Sequence, residues 1–340
     1  MSSQTRILHL LDDATPGGVT RVLDHIRTCP LMGRTAQHKV QMVPKHGTLP
    51  ECEADMIVSH LSLNWRRVPS LIAFRARHPS LPISHVEHSY TEMFTALNVR
   101  SKLRFFAMLR TAYALFDSVI AVSEGQAKWM RRRQLVTERR LHVIPSAVAL
   151  DGFRSLRAPN AQPKIIGAIG RLHQQKGFDI LIEAFRQLEG QSLSLHIYGT
   201  GPDEARLRAA ANGDPRIRFM GHVARSEDAL EAVDIVAMPS RWEAFGLVAL
   251  EARAAGRPVI CSGVDGLSMS AGPSATVVQG FGVAAWQAAL QAATAKGQHT
   301  SQDRATSCES DFAQAWHHLI QSHTQHAAQT LSSEAATAMA

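Results

Sequence analysis

The sequence predicts an α/β fold made of two Rossmann-like, doubly wound parallel-sheet domains that face each other across a cleft. Short apolar runs bounded by turns alternate with helical patterns along the chain, as expected of parallel strands joined by helices. At 340 residues the chain is long enough for two domains. A polar stretch with two prolines, Arg154–Pro163, separates two such alternating halves and is typical of a linker.

Apolar runs predict the strands, six in the first half and five in the second. They are Arg6–Leu11, Lys39–Val43, Asp55–His60, Pro82–Glu87, Ser118–Val122, His142–Pro145, Lys164–Ile169, Leu193–Tyr198, Ile217–Met220, Asp234–Met238 and Pro258–Cys261.

Apolar residues at a spacing of 3.6 predict the helices between these strands. They are Val19–Arg27, Pro69–Arg77, Lys102–Leu115, Gln126–Arg133 and Phe178–Leu188, with a helix start after Phe245 and a late amphipathic helix over Asp311–Gln321. The pattern predicts a first domain over 1–156, a second over 164–296, a closing helical segment over 297–325 and a disordered tail over 326–340.

Composition narrows the function classes. Hydrophobic residues make up 45% of the chain, which suits globular cores. The sequence contains no run of 18 apolar residues, so no membrane-spanning helix is predicted. The apolar segment near the N-terminus is too short for a signal peptide. The four cysteines, at 29, 52, 261 and 308, form no close pair, which argues against a zinc site or a disulfide framework. We therefore expect a cytoplasmic protein.

The positive charge lies in the first half. Residues 1–156 hold 21 Lys and Arg against 12 Asp and Glu, whereas the remainder holds 15 against 17. This surplus fits either a solvated basic face or attraction to anionic lipid headgroups at the inner face of a membrane. A nucleic-acid partner is disfavoured, because no recognised module is present and aromatic residues do not alternate with the basic run.

Two carboxylates separated by seven residues, Glu243 and Glu251, carry the strongest functional signal. They lie between a buried strand and a helix start at Phe245-Gly246-Leu247. The free N–H groups and positive dipole of a helix start favour an anion. Carboxylates on each side of a bound phosphate can hold neutral hydroxyl groups, so the segment indicates a sugar-phosphate or nucleotide-sugar site.

A second signal is the loop Gly170-Arg171-Leu-His-Gln-Gln-Lys176-Gly177, which follows the first strand of the second half. An Arg that binds two oxygens and a Lys point charge suit a diphosphate. No Asp-x-Asp motif accompanies it. We therefore expect cationic side chains in place of a metal, and no cofactor.

The first half offers weaker signals. Gly17 and Gly18 follow the first strand and open a helix, which lets a backbone approach a phosphate; the pattern is not GxGxxG. His88 ends a strand and can donate to a sugar hydroxyl or assist proton movement, with His85 as the alternative.

These motifs resemble the retaining glycosyltransferases of the family 4 (group 1) type. The likeness includes Pro239-Ser240, the turn Phe245-Gly246-Leu247, and the continuation from Glu251 to Val259, and it spans about residues 5–265. It implies the GT-B arrangement of two Rossmann-like domains. It also implies that Arg171 and Lys176 stabilise the leaving diphosphate, Glu243 orients the sugar, Glu251 holds the ribose and His88 assists at the sugar.

The resemblance extends to turns around the nucleotide. Their residues are Gly170, Gly199, Gly201, Gly221 and His222, and Gly17 and Gly18 would close over the phosphates. The sequence departs from the pattern at Ser146-Ala147 and in the loop Ser262–Ser270, which puts donor contacts from that loop in doubt.

We therefore expect a metal-independent hexosyltransferase type of enzyme that takes a nucleotide diphosphate-sugar as donor. Its acceptor would be a glycan or lipid-linked glycan in cell-surface polysaccharide, lipopolysaccharide or glycolipid assembly. Two alternatives remain: a catalytically silent nucleotide-sugar-binding protein, and a nucleotide-sugar epimerase or phosphorylase.

Overall fold

The computed structural model describes residues 4–189, 192–295 and 304–338, with side chains up to residue 324 in the last range. The chain forms two compact units. The first comprises Met1–Tyr90, Asn98–Ala149 and Ser307–Ala340, and the second comprises Thr91–Leu97 and Leu150–Thr306. Among the described residues, no helix is both long and apolar enough to span a bilayer.

Twelve strands form in the described ranges. They are β1 (Arg6–Leu11), β2 (Gln37–Met42), β3 (Met56–Ser59), β4 (Ile83–Glu87), β5 (Ser118–Ala121), β6 (Leu141–Val143), β7 (Ile165–Ile169), β8 (Ser194–Tyr198), β9 (Ile217–Gly221), β10 (Ile235–Met238), β11 (Val259–Ser262) and β12 (Thr276–Val278).

The helices alternate with these strands. They are α1 (Gly18–Thr28), α2 (Pro30–Thr35), α3 (Val68–Arg77), α4 (Glu92–Asn98), α5 (Lys102–Tyr113), α6 (Glu124–Arg132), α7 (Asp151–Arg154), α8 (Phe178–Arg186), α9 (Glu204–Ala211), α10 (Ser226–Glu231), α11 (Leu247–Ala254), α12 (Leu267–Ala271), α13 (Val283–Ala295) and α14 (Cys308–Ala338).

The first unit contains a six-stranded parallel sheet in the order β2-β1-β3-β4-β5-β6. Its central strands β3, β4 and β5 are buried throughout, as expected of a parallel sheet covered on both faces. A buried ion pair lies at the carboxyl end of β1. Arg67 Nη2 donates to Asp12 Oδ2 at 3.0 Å, and the two side chains are 1% and 2% exposed.

The second unit contains another six-stranded parallel sheet, in the order β12-β11-β10-β7-β8-β9. The chain runs outward from β7 in one direction and from β10 in the other. In doubly wound sheets, ligands bind outside the carboxyl ends of the strands where the order reverses, which here is between β7 and β10. The two α/β sheets confirm the predicted fold class.

The unit limits differ from the predicted domain limits, both within the first half and in the C-terminal part of the chain. The segment Thr91–Leu97, which contains most of α4, groups with the second unit, and the second unit begins at Leu150 rather than after Arg154–Pro163. That polar stretch is held in the second unit, because Asn160 Nδ2 donates to Asp234 Oδ1 at 2.7 Å. Such long-range hydrogen bonds leave no periodic signal in the sequence.

The C-terminal helix is also longer than predicted. Helix α14 covers Cys308–Ala338 and groups with the first unit, where a helix over 311–321 and a disordered tail from 326 were expected. The Ala content of the tail favours a helix through intrinsic propensity. Residues 296–303, which include the start of the predicted closing segment at 297, and residues 339–340 lie outside the described residues.

Candidate functional site

Two loops of the second unit meet at the point where the strand order reverses. One follows β7 and runs from Gly170 to Gly177, and the other follows β10 up to Gly246. Arg241 N donates to Gln175 O at 2.7 Å, and Gln175 Nε2 donates to Trp242 O at 3.1 Å. The structure thus brings together the two segments that carry the strongest sequence signals.

Gly177 is required where these loops touch. Its φ is +66°, and a Cβ atom there would lie 2.1 Å from the carbonyl oxygen of Pro239. A side chain is therefore excluded both by the left-handed conformation and by the neighbouring backbone. This explains the glycine by loop packing, before any ligand is considered.

Lys176 and Glu243 form an ion pair across the two loops. Lys176 Nζ donates to Glu243 Oε2 at 2.6 Å, and the side chains are 17% and 13% exposed. Ser240 Oγ also donates to Glu243 Oε2, at 3.4 Å. A ligand anion that binds Lys176 would therefore compete with a carboxylate already in place.

Arg171 lies in the same loop and is exposed. Within the described part of the chain, no carboxylate is paired with it. Its guanidinium can therefore take two oxygens of an anion without first breaking an ion pair.

The loop after β10 leads into α11, whose first residue is Leu247. Phe245 and Gly246 before it are buried, and Leu247 is half-buried. A helix start presents N–H groups without intrahelical partners and carries the positive end of the helix dipole. Glu251 lies one turn further along α11 and is 0% exposed.

Asp265 completes this site, although no sequence motif marks it. Its Oδ2 accepts from Glu243 N at 3.2 Å and from Thr91 Oγ1 at 2.7 Å, and its Oδ1 accepts from Met93 N at 3.1 Å. Burial raises the pKa of the Asp265 carboxyl, although these hydrogen bonds partly oppose the increase. In addition, Gly266 N donates to Glu243 O at 3.1 Å.

The loop Ser262–Ser270 thus holds the backbone of Glu243, even though its sequence departs from the family pattern. The turn signal Asp265-Gly266 was the only hint in the sequence. Asp265 adopts φ of +44°, which is uncommon for a residue other than glycine. Strained backbone of this kind often marks functional sites.

The glycines after β8 contact the loop after β7. A Cβ atom at Gly199 would lie 2.0 Å from Gly170 O, and one at Gly201 would lie 2.3 Å from Leu172 O. Close backbone packing therefore explains both residues, and their predicted ligand contacts stay predictions. Gly221 ends β9, and His222 beyond it is exposed.

The other predicted residues lie in the first unit. Gly17 and Gly18 are exposed at the start of α1, where Gly17 N donates to Thr20 Oγ1 at 3.0 Å. His88 follows β4 and is half-buried, and burial lowers its pKa to about 4. The alternative, His85, is 1% exposed and stacks on Phe116, so the structure favours His88 as the accessible imidazole.

Glu87 organises the turn that carries His88. Its Oε1 accepts from the backbone N–H groups of Ser89 and Tyr90, and its Oε2 accepts from Tyr113 Oη at 2.7 Å. Burial works to raise the pKa of the Glu87 carboxyl, but the neighbouring His85 imidazole, whose Nε2 lies 3.6 Å from Glu87 Oε2, and the hydrogen bonds from Tyr90 and Tyr113 outweigh it. The pKa therefore lies below its ordinary value.

Two family profiles match the chain. Residues 163–295 match "Glycosyl transferases group 1", and residues 32–151 match "Glycosyltransferase Family 4". Together they cover the second sheet, the first sheet apart from β1, and both loops of the second-unit site.

Curated relatives match about half of the chain. D-inositol 3-phosphate glycosyltransferase of Mycobacterium marinum is 31% identical over 196 residues, which are 51% of this chain and 41% of that protein. The putative glycosyltransferase EpsF of Bacillus subtilis is 25% identical over 56% of this chain and 54% of its own. The match thus spans about half or less of these relatives' length.

Solved structures share the whole fold. HepE of Anabaena, in complex with UDP and glucose, superposes with a TM-score of 0.67 at 18% identity over 97% of this chain and 100% of its own. WaaG, a glycosyltransferase involved in lipopolysaccharide biosynthesis, superposes with a TM-score of 0.63 at 19% identity, over 91% of this chain and 95% of its own. This likeness establishes the GT-B fold.

Proposed function

Because this chain belongs to the glycosyltransferases of the group 1 and family 4 type, we propose that it transfers a sugar from a nucleotide diphosphate-sugar to an acceptor hydroxyl with retention of anomeric configuration. The observation that carries the proposal is the ion pair Lys176–Glu243, which lies next to the start of α11, with exposed Arg171 in the same loop as Lys176. The Anabaena neighbour, which binds UDP and glucose, supports a donor of this class.

The cations act on the leaving group. As the glycosidic bond to the diphosphate breaks, negative charge develops on the phosphate oxygens. Arg171 can hold two of these oxygens, Lys176 supplies a second positive charge, and the N–H groups at the start of α11 add partial positive charge. Such preorganised groups replace a metal, and removing one costs about 10²–10³-fold in kcat.

The carboxylates act on hydroxyl groups. Glu243, which is tied through its backbone to Asp265, orients the donor sugar when Lys176 turns to the diphosphate. Glu251 holds the ribose hydroxyls, which requires its carboxylate, 0% exposed in this structure, to become accessible when the donor binds. His88 of the first unit assists at the sugar, and the acceptor attacks from the face that the diphosphate leaves, without a covalent nucleophile on the protein.

A turnover assay tests this proposal. Purified protein is supplied with UDP-, GDP- and ADP-sugars, and release of free nucleoside diphosphate and sugar transfer are both followed. We expect one donor to turn over and Arg171→Ala to lose nearly all activity. Lys164→Ala is the matched control. Lys164 is exposed just before β7, at the amino ends of the strands, whereas Arg171 lies at their carboxyl ends.

The alternatives give different results. An epimerase would convert the donor without releasing nucleotide, and a silent binding protein would bind nucleotide and release nothing. Near wild-type activity of Arg171→Ala would contradict the assignment of the diphosphate site. The anomeric configuration of the product, read by NMR, tests retention separately.

For the acceptor, we propose a glycan or lipid-linked glycan at the inner face of a membrane. The first turn of α5 supports this, because Leu103 is 86% exposed and lies between exposed Lys102 and Arg104. Each such cation adds about 1 kcal/mol of attraction to an anionic surface. Arg131, by contrast, pairs with Glu124 and Glu138, so it adds less attraction to an anionic surface than an unpaired arginine would.

Vesicle binding tests the membrane proposal. We expect the protein to sediment with phosphatidylglycerol vesicles at low salt and to lose binding in Leu103→Asp. Ile72→Asp is the control, since Ile72 is 49% exposed on α3 of the same unit. Equal binding by both variants, or none by wild type, would contradict the proposal.

A further inference from the structure

Four histidines of the first unit form one continuous line of hydrogen bonds. His38 Nδ1 lies 3.0 Å from His9 Nε2, and His9 Nδ1 lies 3.0 Å from His60 Nε2. His60 Nδ1 then lies 2.8 Å from His88 Nε2. We call these four residues the imidazole chain. It ends at the histidine to which the proposed function assigns a role at the sugar.

The strand register produces this line. His38 is paired with Ile7 on β1, and His9 lies two residues further along β1. His9 in turn is paired with Val58 on β3, and His60 lies two residues beyond it. Because residues two apart share a face of a sheet, each step moves one strand across and two residues toward the carboxyl edge.

The two inner rings of the imidazole chain, His9 and His60, are buried, the two outer rings are half-buried, and all four are neutral. His9 is 0% and His60 is 7% exposed, and the ring of Trp316 packs edge-on against His9. Burial lowers the pKa of His38 and His88 to about 4, and it lowers the pKa of His9 and His60 well below the ordinary value.

The charged and titratable groups that act on His88 are few. Glu87 raises the pKa of His88 and His85 lowers it, but burial outweighs both. At neutral pH the four rings are therefore uncharged, and each carries one proton on one of its two nitrogens.

Neutral imidazoles in a line have only two compatible proton arrangements. Each neutral ring has one donor and one acceptor nitrogen, and every contact in the chain joins the Nδ1 of one ring to the Nε2 of the next. If His60 carries its proton on Nε2, it donates to His9 and must accept from His88. All four protons therefore lie on Nε2, or all four lie on Nδ1.

We propose that the imidazole chain sets the tautomer of His88, so that His60, His9 and His38 are positioning residues for the proposed sugar transfer. No described residue hydrogen-bonds to His88 Nδ1, and this nitrogen is the one left for a substrate hydroxyl. Whether it is a donor or an acceptor is fixed by three rings that never touch substrate. The positioning role rests on the proposed function. The shared tautomer of the four rings does not depend on it.

Nitrogen NMR tests the shared tautomer directly on the full protein without substrate. Long-range ¹H–¹⁵N spectra of ¹⁵N-histidine protein at pH 7 distinguish the two tautomers, and single His→Phe variants assign the signals. We expect all four rings in one tautomer, and the ¹⁵N shifts of His88 to change in His38→Phe although three hydrogen bonds separate them. His142→Phe is the control, because His142 is partly buried on β6 and hydrogen-bonds to Ser118 rather than to a ring of the imidazole chain.

Kinetics test the consequence. His60→Phe should lower kcat by about 10²-fold, at the low end of the effect of a proton-handling group, and leave KM for the donor unchanged. His60→Gln should restore most of kcat, because an amide both donates and accepts.

Two neighbouring rings in different tautomers, or no change at His88 in His38→Phe, would overturn the inference. Equal kcat in His60→Phe and wild type would overturn the positioning role. If the protein transfers no sugar while the four rings still share one tautomer, the proposed function and the catalytic role that rests on it fail, and the shared tautomer stands.

Discussion

Glu243→Gln should separate nucleotide binding from sugar transfer. In the structure, the Glu243 carboxylate occupies Lys176 at 2.6 Å, so a diphosphate must displace it. The substitution keeps the size of the side chain, removes one negative charge beside the anion and releases Lys176. We expect free nucleoside diphosphate to bind more tightly, whereas transfer falls because the sugar loses its orienting carboxylate.

The magnitude follows from the burial of the pair. Exposed pairs contribute about 0–1 kcal/mol, whereas breaking a fully buried pair costs about 3–5 kcal/mol. At 17% and 13% exposure the pair lies between these limits, and we take about 1–2 kcal/mol. Wild type must give up this free energy when the nucleoside diphosphate binds, whereas Glu243→Gln does not. The Kd of the variant for the nucleoside diphosphate should therefore be about 5–30-fold lower. Transfer should fall by about 10²–10³-fold.

Calorimetric titration of the nucleoside diphosphate and a turnover assay measure the two effects on the same preparations. Glu204→Gln is the control, since Glu204 pairs with Arg208 at 2.8 Å on the exposed face of α9; its Kd and kcat should stay at wild-type values. Weaker nucleotide binding by Glu243→Gln would refute the reasoning, because the carboxylate would then be helping the diphosphate rather than competing with it.

Three further predictions test the surroundings of the site and the fold. Gly177→Ala should lower Tm and donor turnover together, since φ is +66° and its Cβ would lie 2.1 Å from Pro239 O; a Tm equal to wild type in a thermal melt would contradict this. Asp12→Ala should destabilise the protein by about 3–5 kcal/mol in urea unfolding, because Arg67 would stay buried without its carboxylate, whereas Asp24→Ala, which removes an exposed pair with Arg27, should cost less than about 1 kcal/mol. Dialysis against EDTA should leave turnover unchanged, because the proposed diphosphate site is built from cationic side chains; a loss that Mg²⁺ restores would count against that proposal.

Most strands could be predicted from the sequence, because a buried parallel strand is a continuous apolar run. Arg6–Leu11 has the predicted limits, and Ser118–Ala121 differs from its prediction by one residue. Strand β12 was missed because its three residues lie at the sheet edge with two of them exposed. Helix α13 was missed because its Ala-rich sequence has no clear apolar face.

The site could be predicted in part for a similar reason. The resemblance assigned the segments around Lys176 and Glu243 to one donor site, and in the structure the loops after the neighbouring strands β7 and β10 meet at the carboxyl end of the sheet. Their direct ion pair was not predicted, because both side chains had been assigned to a ligand. Asp265 and the imidazole chain were missed because they depend on tertiary contacts and strand register, which no local pattern records.

The most direct test of the account is a metal-free thermal-shift panel of UDP, GDP, ADP and their sugar conjugates on wild type, Arg171→Ala and Lys164→Ala. A ligand at 100 times its Kd stabilises the folded protein by about 2.7 kcal/mol. We predict that one nucleoside diphosphate and its sugar conjugates raise Tm in wild type and Lys164→Ala but not in Arg171→Ala. No shift with any nucleotide, or an equal shift in Arg171→Ala, would contradict a diphosphate site built from Arg171, Lys176 and the start of α11.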